Sequence, residues 1–118
     1  KIMGGGMRQA GVLAAAGLLA LSEGVARLGE DHENARLLAR LLADIPGVVV
    51  HPGRIHTNMV FCRLNRPGKE EGGLVAFLRE QGILTYEPGP WGLRFVTSRE
   101  VTAGDVKALS LAVSQYLR

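Results

Sequence analysis

The chain has one cysteine, Cys62, in 118 residues, which excludes an intrachain disulfide and offers no metal-ligand spacing. Set inside an apolar stretch, Cys62 reads as a buried small hydrophobe. Aromatic residues are also few. One tryptophan, two tyrosines and three phenylalanines leave aliphatic side chains to supply most of the core. Charge of one sign is scarce too: 14 Lys and Arg against 11 Asp and Glu give a formal +3. With no dense basic run and no basic stripe interleaved with aromatics, nucleic-acid binding has little support, and no nucleic-acid partner is expected. The apolar run Val12–Leu21 is well short of the roughly 20 residues a membrane span needs, so no membrane partner is expected. Its alanines and glycines suit a helix packed in protein.

What the chain does have is glycine. Sixteen glycines, about twice the usual ~7 % share, lie among apolar runs and imply tight turns and close packing. Three are consecutive, Gly4-Gly5-Gly6, and run through Met7-Arg8 into an apolar helix. Ordering three glycines is entropically costly, so a triple marks close backbone approach or positive φ. A helix opened by such a turn presents unpaired N–H groups and the positive end of its dipole. Lys1 and Arg8 add two cations, so the turn reads as a site for a phosphate or a carboxylate. Spacing by itself leaves the alternative of two solvated cations beside an ordinary glycine turn.

Along the chain, a first helix is predicted from about Met7 to Ser22, stopped by Gly24. A second covers about Val25–Asp44, with Leu28, Ala35, Leu38, Leu42 and Ile45 on its apolar side and Glu30, Glu33, Arg36 and Arg40 opposite. Pro46-Gly47 ends it. Val48–Val50 and Thr57–Leu64 read as strands, the second apolar enough to be covered on both faces. A helix over Glu70–Gln81 follows. Strands at Ile83–Tyr86 and Leu93–Thr97 are joined by the rigid Pro88–Gly92 turn. The last helix starts at Thr102 with Asp105 three residues on, a capping box, and carries Val106, Leu109, Val113 and Leu117 as its buried stripe. The order α, α, β, β, α, β, β, α predicts an α+β unit, with helices packed on a small, mostly antiparallel sheet.

Arg94 stands in the last predicted strand, where alternation sends it to the face opposite Leu93 and Phe95. A guanidinium there can bind a carboxylate through two parallel hydrogen bonds or simply face solvent, and the residues alone leave both open. His32 reads as a capping or interhelix hydrogen bonder. His51 and His56, flanking the Pro52-Gly53 turn, read as surface residues and weak metal ligands, so no metal is expected. Thr57 and Asn58 read as strand-turn hydrogen bonders.

The run K-I-M-G-G-G-M-R-Q-A-G-V-L-A-A-A-G-L-L-A-L, then E-D-H-E-N-A, T-N-M-V-F and L-R-F-V-T-S-R-E-V, resembles the low-specificity L-threonine aldolases in the same order over essentially the whole chain. These are pyridoxal-phosphate enzymes of the aspartate-aminotransferase fold class. The resemblance implies the C-terminal small domain of a fold-type-I enzyme, with residues 1–24 a glycine turn and bridging helix from the large domain and 25–118 the small domain proper. It implies that Arg94 binds the substrate α-carboxylate, and that Lys1, Gly5, Gly6 and Arg8 line the cofactor phosphate, partly across a dimer interface. The family's cofactor-linked lysine lies in an S-K-G motif upstream, and none of Lys1, Lys69 and Lys107 has that setting. No catalytic residue is therefore expected in this piece, which is expected to be inactive alone. Ser98 stands where family members often have histidine, which weakens any side-chain role carried to that position. The implied partners are an amino-acid substrate, the chain's own N-terminal large domain and sister subunits in a dimer of dimers. The first residues already belong to a motif, so the chain reads as a piece of a longer polypeptide with no legible targeting segment. Two other readings stay open: a non-catalytic truncated product that only dimerises or binds a partner, and another lyase or transaminase of the same fold.

Overall fold

The computed structural model describes residues 5–118, so Lys1 and Gly4 of the glycine run lie outside the described residues. Helix α1 (Gly11–Leu19) passes through a π-helical turn (Ala20–Gly24) into α2 (Val25–Ala43). Strands β1 (Val48–Val50) and β2 (Met59–Leu64) follow, then α3 (Glu71–Glu80), β3 (Leu93–Val96) and α4 (Ala103–Tyr116). The three strands form one antiparallel sheet in the order β1-β2-β3, with Val49 opposite Arg63, Phe61 opposite Arg94 and Met59 opposite Val96.

The core is made by periodicities that agree. In α2 the buried residues Ala35, Leu38, Ala39 and Leu42 follow the i, i+3, i+4, i+7 spacing of one helix face. In β2 and β3 every second residue is buried: Val60 and Cys62 in β2, Leu93 and Phe95 in β3. Leu74, Val75 and Leu78 of α3 and Val106, Leu109 and Val113 of α4 join the same cluster. Thr102 caps α4 by accepting from the Asp105 N–H, while the Asp105 carboxylate accepts from the Thr102 N–H at 2.8 Å. Gly47, at φ +94°, takes the chain out of α2 into β1.

Several expectations are corrected. Gly24 does not stop a helix: its φ of −70° is helical, and Gly11–Ala43 runs on for 33 residues. The first helix starts at Gly11, not Met7. Leu28 is exposed, because the core takes up α2 only from about Asp31 onward. Ile83–Tyr86 is not a strand, so the order is α, α, β, β, α, β, α. The sheet is covered on one face only. Met59, Phe61 and Val96 point away from the helices and are exposed, whereas two-sided burial was expected.

The long helix is also a stem. At about 1.5 Å per residue its 33 residues span about 50 Å, nearly the whole 53 Å length of the molecule. Nothing in α1 is buried. One 18-residue window reaches a hydropathy of 1.5 with none of it buried, so the continuous helix has the length and composition to cross a membrane that Val12–Leu21 lacks.

Candidate functional site

The open face of the sheet carries two arginines, and their environments differ. Arg63 of β2 is tied down, its Nη2 donating to the Pro90 carbonyl of the Pro88–Gly92 turn. Arg94, half-buried at the centre of β3, makes no side-chain hydrogen bond or ion pair among the described residues. Its guanidinium carbon instead sits 4.8 Å from the centre of the Tyr86 ring. The backbone of Arg94 is held as well, since Thr85 Oγ1 donates to its carbonyl at 3.2 Å. Phe61 lies directly across the ladder. Glu87, next to Tyr86, faces Arg79 at 3.9 Å, and although Asp105 lines the same cavity, no carboxylate is within ion-pair distance of Arg94 among the described residues. The five N–H groups of a guanidinium lie at the edges of its plane, where a carboxylate bonds, and the contact with the Tyr86 ring uses none of them.

Beside this pair, along the free edge of β3, is a cavity of about 330 Å³. Residues 82–86 wall it on one side, and Leu38, Val106 and Leu109 wall it on another. Arg94 and Tyr86 also line it. That volume is in the range of small-molecule sites.

Thr97, which also lines the cavity, sets the end of β3, and its role was not read from the sequence. It is 2 % exposed, donates from Oγ1 to the Asp31 carbonyl at 2.6 Å, and exchanges bonds with Asn58 at 2.9 and 2.8 Å. These contacts pin the end of β3 to α2 and to the start of β2. A signal for it was available: Thr97 shares the inward parity of Leu93 and Phe95, and a polar residue there needs partners. Asn58 and Thr57 are the hydrogen bonders expected, with Thr57 Oγ1 accepting from the Met59 N–H at 3.3 Å. His32 is not a cap; it lies inside α2 without a side-chain hydrogen bond among the described residues. His51 and His56 are exposed, and no cluster of three metal-ligating side chains occurs among the described residues. Burial pushes the Cys62 thiol up to about 12, with the Glu71 charge adding to it, which leaves the side chain inert.

The other predicted site is at the far end of the stem. Gly5, Gly6 and Arg8 are exposed, and a Cβ added to either glycine would meet nothing. The start of α1 has neither a side-chain cap nor an acidic residue in its first turn. Bare backbone, a cation and an uncapped helix start are a donor set that fits a phosphate. The fit stops there. Lys69 donates to the Tyr116 carbonyl at the end of α4 and stacks on the Tyr116 ring, and Lys107 is exposed on α4, so no described lysine is placed for covalent chemistry. Nor does this chain bring the two sites together. Thr97 ties β3 to Asp31, and about 30 Å of helix separates Asp31 from Gly11.

Comparison with known proteins agrees with this architecture. The chain superposes on the Escherichia coli cysteine desulfurase CsdA with a TM-score of 0.74 and 26 % identity, over 96 % of this chain and 31 % of that one. It is 38 % identical over 112 residues to low-specificity L-threonine aldolase 1 of Arabidopsis thaliana, covering 90 % of this chain and 30 % of that protein. It is 42 % identical over 84 residues to the low specificity L-threonine aldolase of Escherichia coli K12, covering 71 % and 24 % respectively. Helices on one face of a small antiparallel sheet therefore define the small-domain architecture of fold-type-I pyridoxal-phosphate enzymes. The chain belongs to the Beta-eliminating lyase family, whose profile matches residues 1–65. It spans less than a third of the length of these curated relatives.

Proposed function

We propose that the chain is the C-terminal part of a pyridoxal-phosphate-dependent aldolase that cleaves L-threonine or L-allo-threonine to glycine and acetaldehyde, with Arg94 holding the substrate α-carboxylate. One observation carries the assignment of Arg94: a half-buried guanidinium on an open sheet face, set against an aromatic ring and left without a carboxylate partner among the described residues. The names of the matched relatives supply the reaction.

When bound, pyridoxal phosphate supplies the sink for the electrons released as the Cα–Cβ bond breaks. The residues of this chain bind and orient. Two parallel N–H···O bonds from Arg94 fix the plane of the carboxylate and so the direction of the bond that breaks. Gly5, Gly6 and Arg8, with Lys1, would hold the phosphate through backbone N–H groups and two cations. Because Arg8 and Arg94 are far apart in one chain, the complete site needs the large domain and, by resemblance, a sister subunit of a dimer of dimers. On this reading residues 1–24 belong with the large domain, 25–118 form the small domain, and the chain alone is inactive.

In the complete protein, Arg94→Ala is expected to raise KM for L-threonine by at least about tenfold, the loss of a charge-assisted bidentate contact, with cofactor absorbance retained. An unchanged KM would falsify the role of Arg94. Acetaldehyde release, assayed against keto-acid formation, separates aldolase from transaminase. The exposed apolar stem favours a second reading, a product that only dimerises or binds a partner; loss of aldehyde release in every form of the complete protein would favour it.

A further inference from the structure

The grip on Arg94 comes from two consecutive residues of a segment that forms no strand. Thr85 Oγ1 binds the Arg94 carbonyl at 3.2 Å, and the next residue, Tyr86, places its ring 4.8 Å from the guanidinium carbon. Resting on the reading of Arg94 as the carboxylate binder, we propose that Tyr86 is a positioning residue for substrate binding, a platform that holds the Arg94 guanidinium flat with its N–H edges toward the substrate.

An arginine on an open sheet face has several rotatable bonds, and fixing them costs conformational entropy that a carboxylate must otherwise offset on binding. Where Arg63 spends an N–H on Pro90, Arg94 spends none within the described residues. A ring under the plane restrains the cation while leaving every N–H free. The Tyr86 ring also removes water from one side of the guanidinium, which strengthens the ion pair made at its edge. The hydroxyl has no part in this, and Tyr86 Oη makes no hydrogen bond among the described residues. Nor does Tyr86 contribute much to the core, being 66 % exposed, so its replacement leaves the fold standing.

The experiment uses the complete holoenzyme, with KM and kcat for L-threonine, the dissociation constant of glycine by calorimetry, and the melting temperature. Tyr86→Leu is expected to raise both KM and the glycine dissociation constant about fivefold, the size of one partly exposed cation–aromatic contact, with kcat within about twofold. Tyr86→Phe should restore both constants, and Tyr86→Leu should add nothing in an Arg94→Ala background. If Arg94→Ala weakens glycine binding but Tyr86→Leu does not, the platform is wrong and the carboxylate role stands. Tyr86→Phe as damaging as Tyr86→Leu would overturn the stacking argument. A glycine affinity that ignores Arg94→Ala ends both proposals. A melting temperature that falls with Tyr86→Leu while KM holds makes Tyr86 merely structural.

Discussion

Gly92 is at φ +87°, with the Cys62 carbonyl and the Arg63 side chain pressed against the place where a Cβ would begin. Any side chain there must strain the backbone and displace β2, so Gly92→Ala should destabilise the protein by more than about 1 kcal/mol. Gly89, its partner in the same turn, has open space around it, and Gly89→Ala should leave the urea midpoint nearly unchanged. Cys62 gives a pH-dependent counterpart. Burial favours the neutral thiol, raising its pKa from 9.0 to about 12 in the fold. Its contribution is thus complete below pH 9.0 and is lost as pH rises toward about 12, because the unfolded thiol ionises first. The urea midpoint of the parent should fall over that window more steeply than that of Cys62→Val. A maleimide should leave the native thiol unlabelled and react on unfolding.

Elements are decided by agreement between local signals and neighbours. The capping box at α4 was legible because Thr102 and Asp105 are three residues apart and act through their own backbone. Thr102→Ala should cost about 1 kcal/mol, read as a lower urea midpoint. The hydrogen bonds from Thr102 hold the Asp105 carboxyl below its ordinary range. The help it gives α4 is therefore present above the ordinary carboxylate pKa and disappears as pH falls through the lowered value. Ile83–Tyr86 shows the opposite case. Its β-forming residues promised a strand, yet Ile83 N–H bonds back to the Leu78 carbonyl of α3 at 2.9 Å, and the segment reaches the sheet through the Thr85 hydroxyl on the Arg94 carbonyl at 3.2 Å. Strand propensity needs a ladder partner in register, and sequence does not supply one. The helix stop expected at Gly24 failed for a related reason: glycine ends a helix only when the following chain turns away, and here it continues.

At the scale of the molecule, the core holds α2 from Asp31 onward while residues 11–30 stand in solvent apart from a half-buried Gly24. Helices get most of their stability from packing an apolar face, so in the isolated chain the amides of residues 11–30 should exchange rapidly while those of Ala35–Leu42 are protected. In the complete protein both stretches should be slow. Equal protection in the isolated chain would mean that the stem is already covered, by a second copy or by a membrane, and vesicle co-sedimentation would distinguish these.

The sequence by itself determined what acts within a few residues: the buried stripe of α4 and that of α2 from Ala35 onward, the capping box of Thr102 and Asp105, and the alternation that sends Arg94 away from Leu93 and Phe95. Tertiary structure alone decided which sheet face stays open, that Tyr86 lies under Arg94, and that Arg8 and Arg94 cannot meet inside one chain. The reason is range. Propensity and periodicity act over one or two turns of chain, whereas contacts such as Thr97 with Asp31 join residues 66 apart and exist only once the whole core has closed.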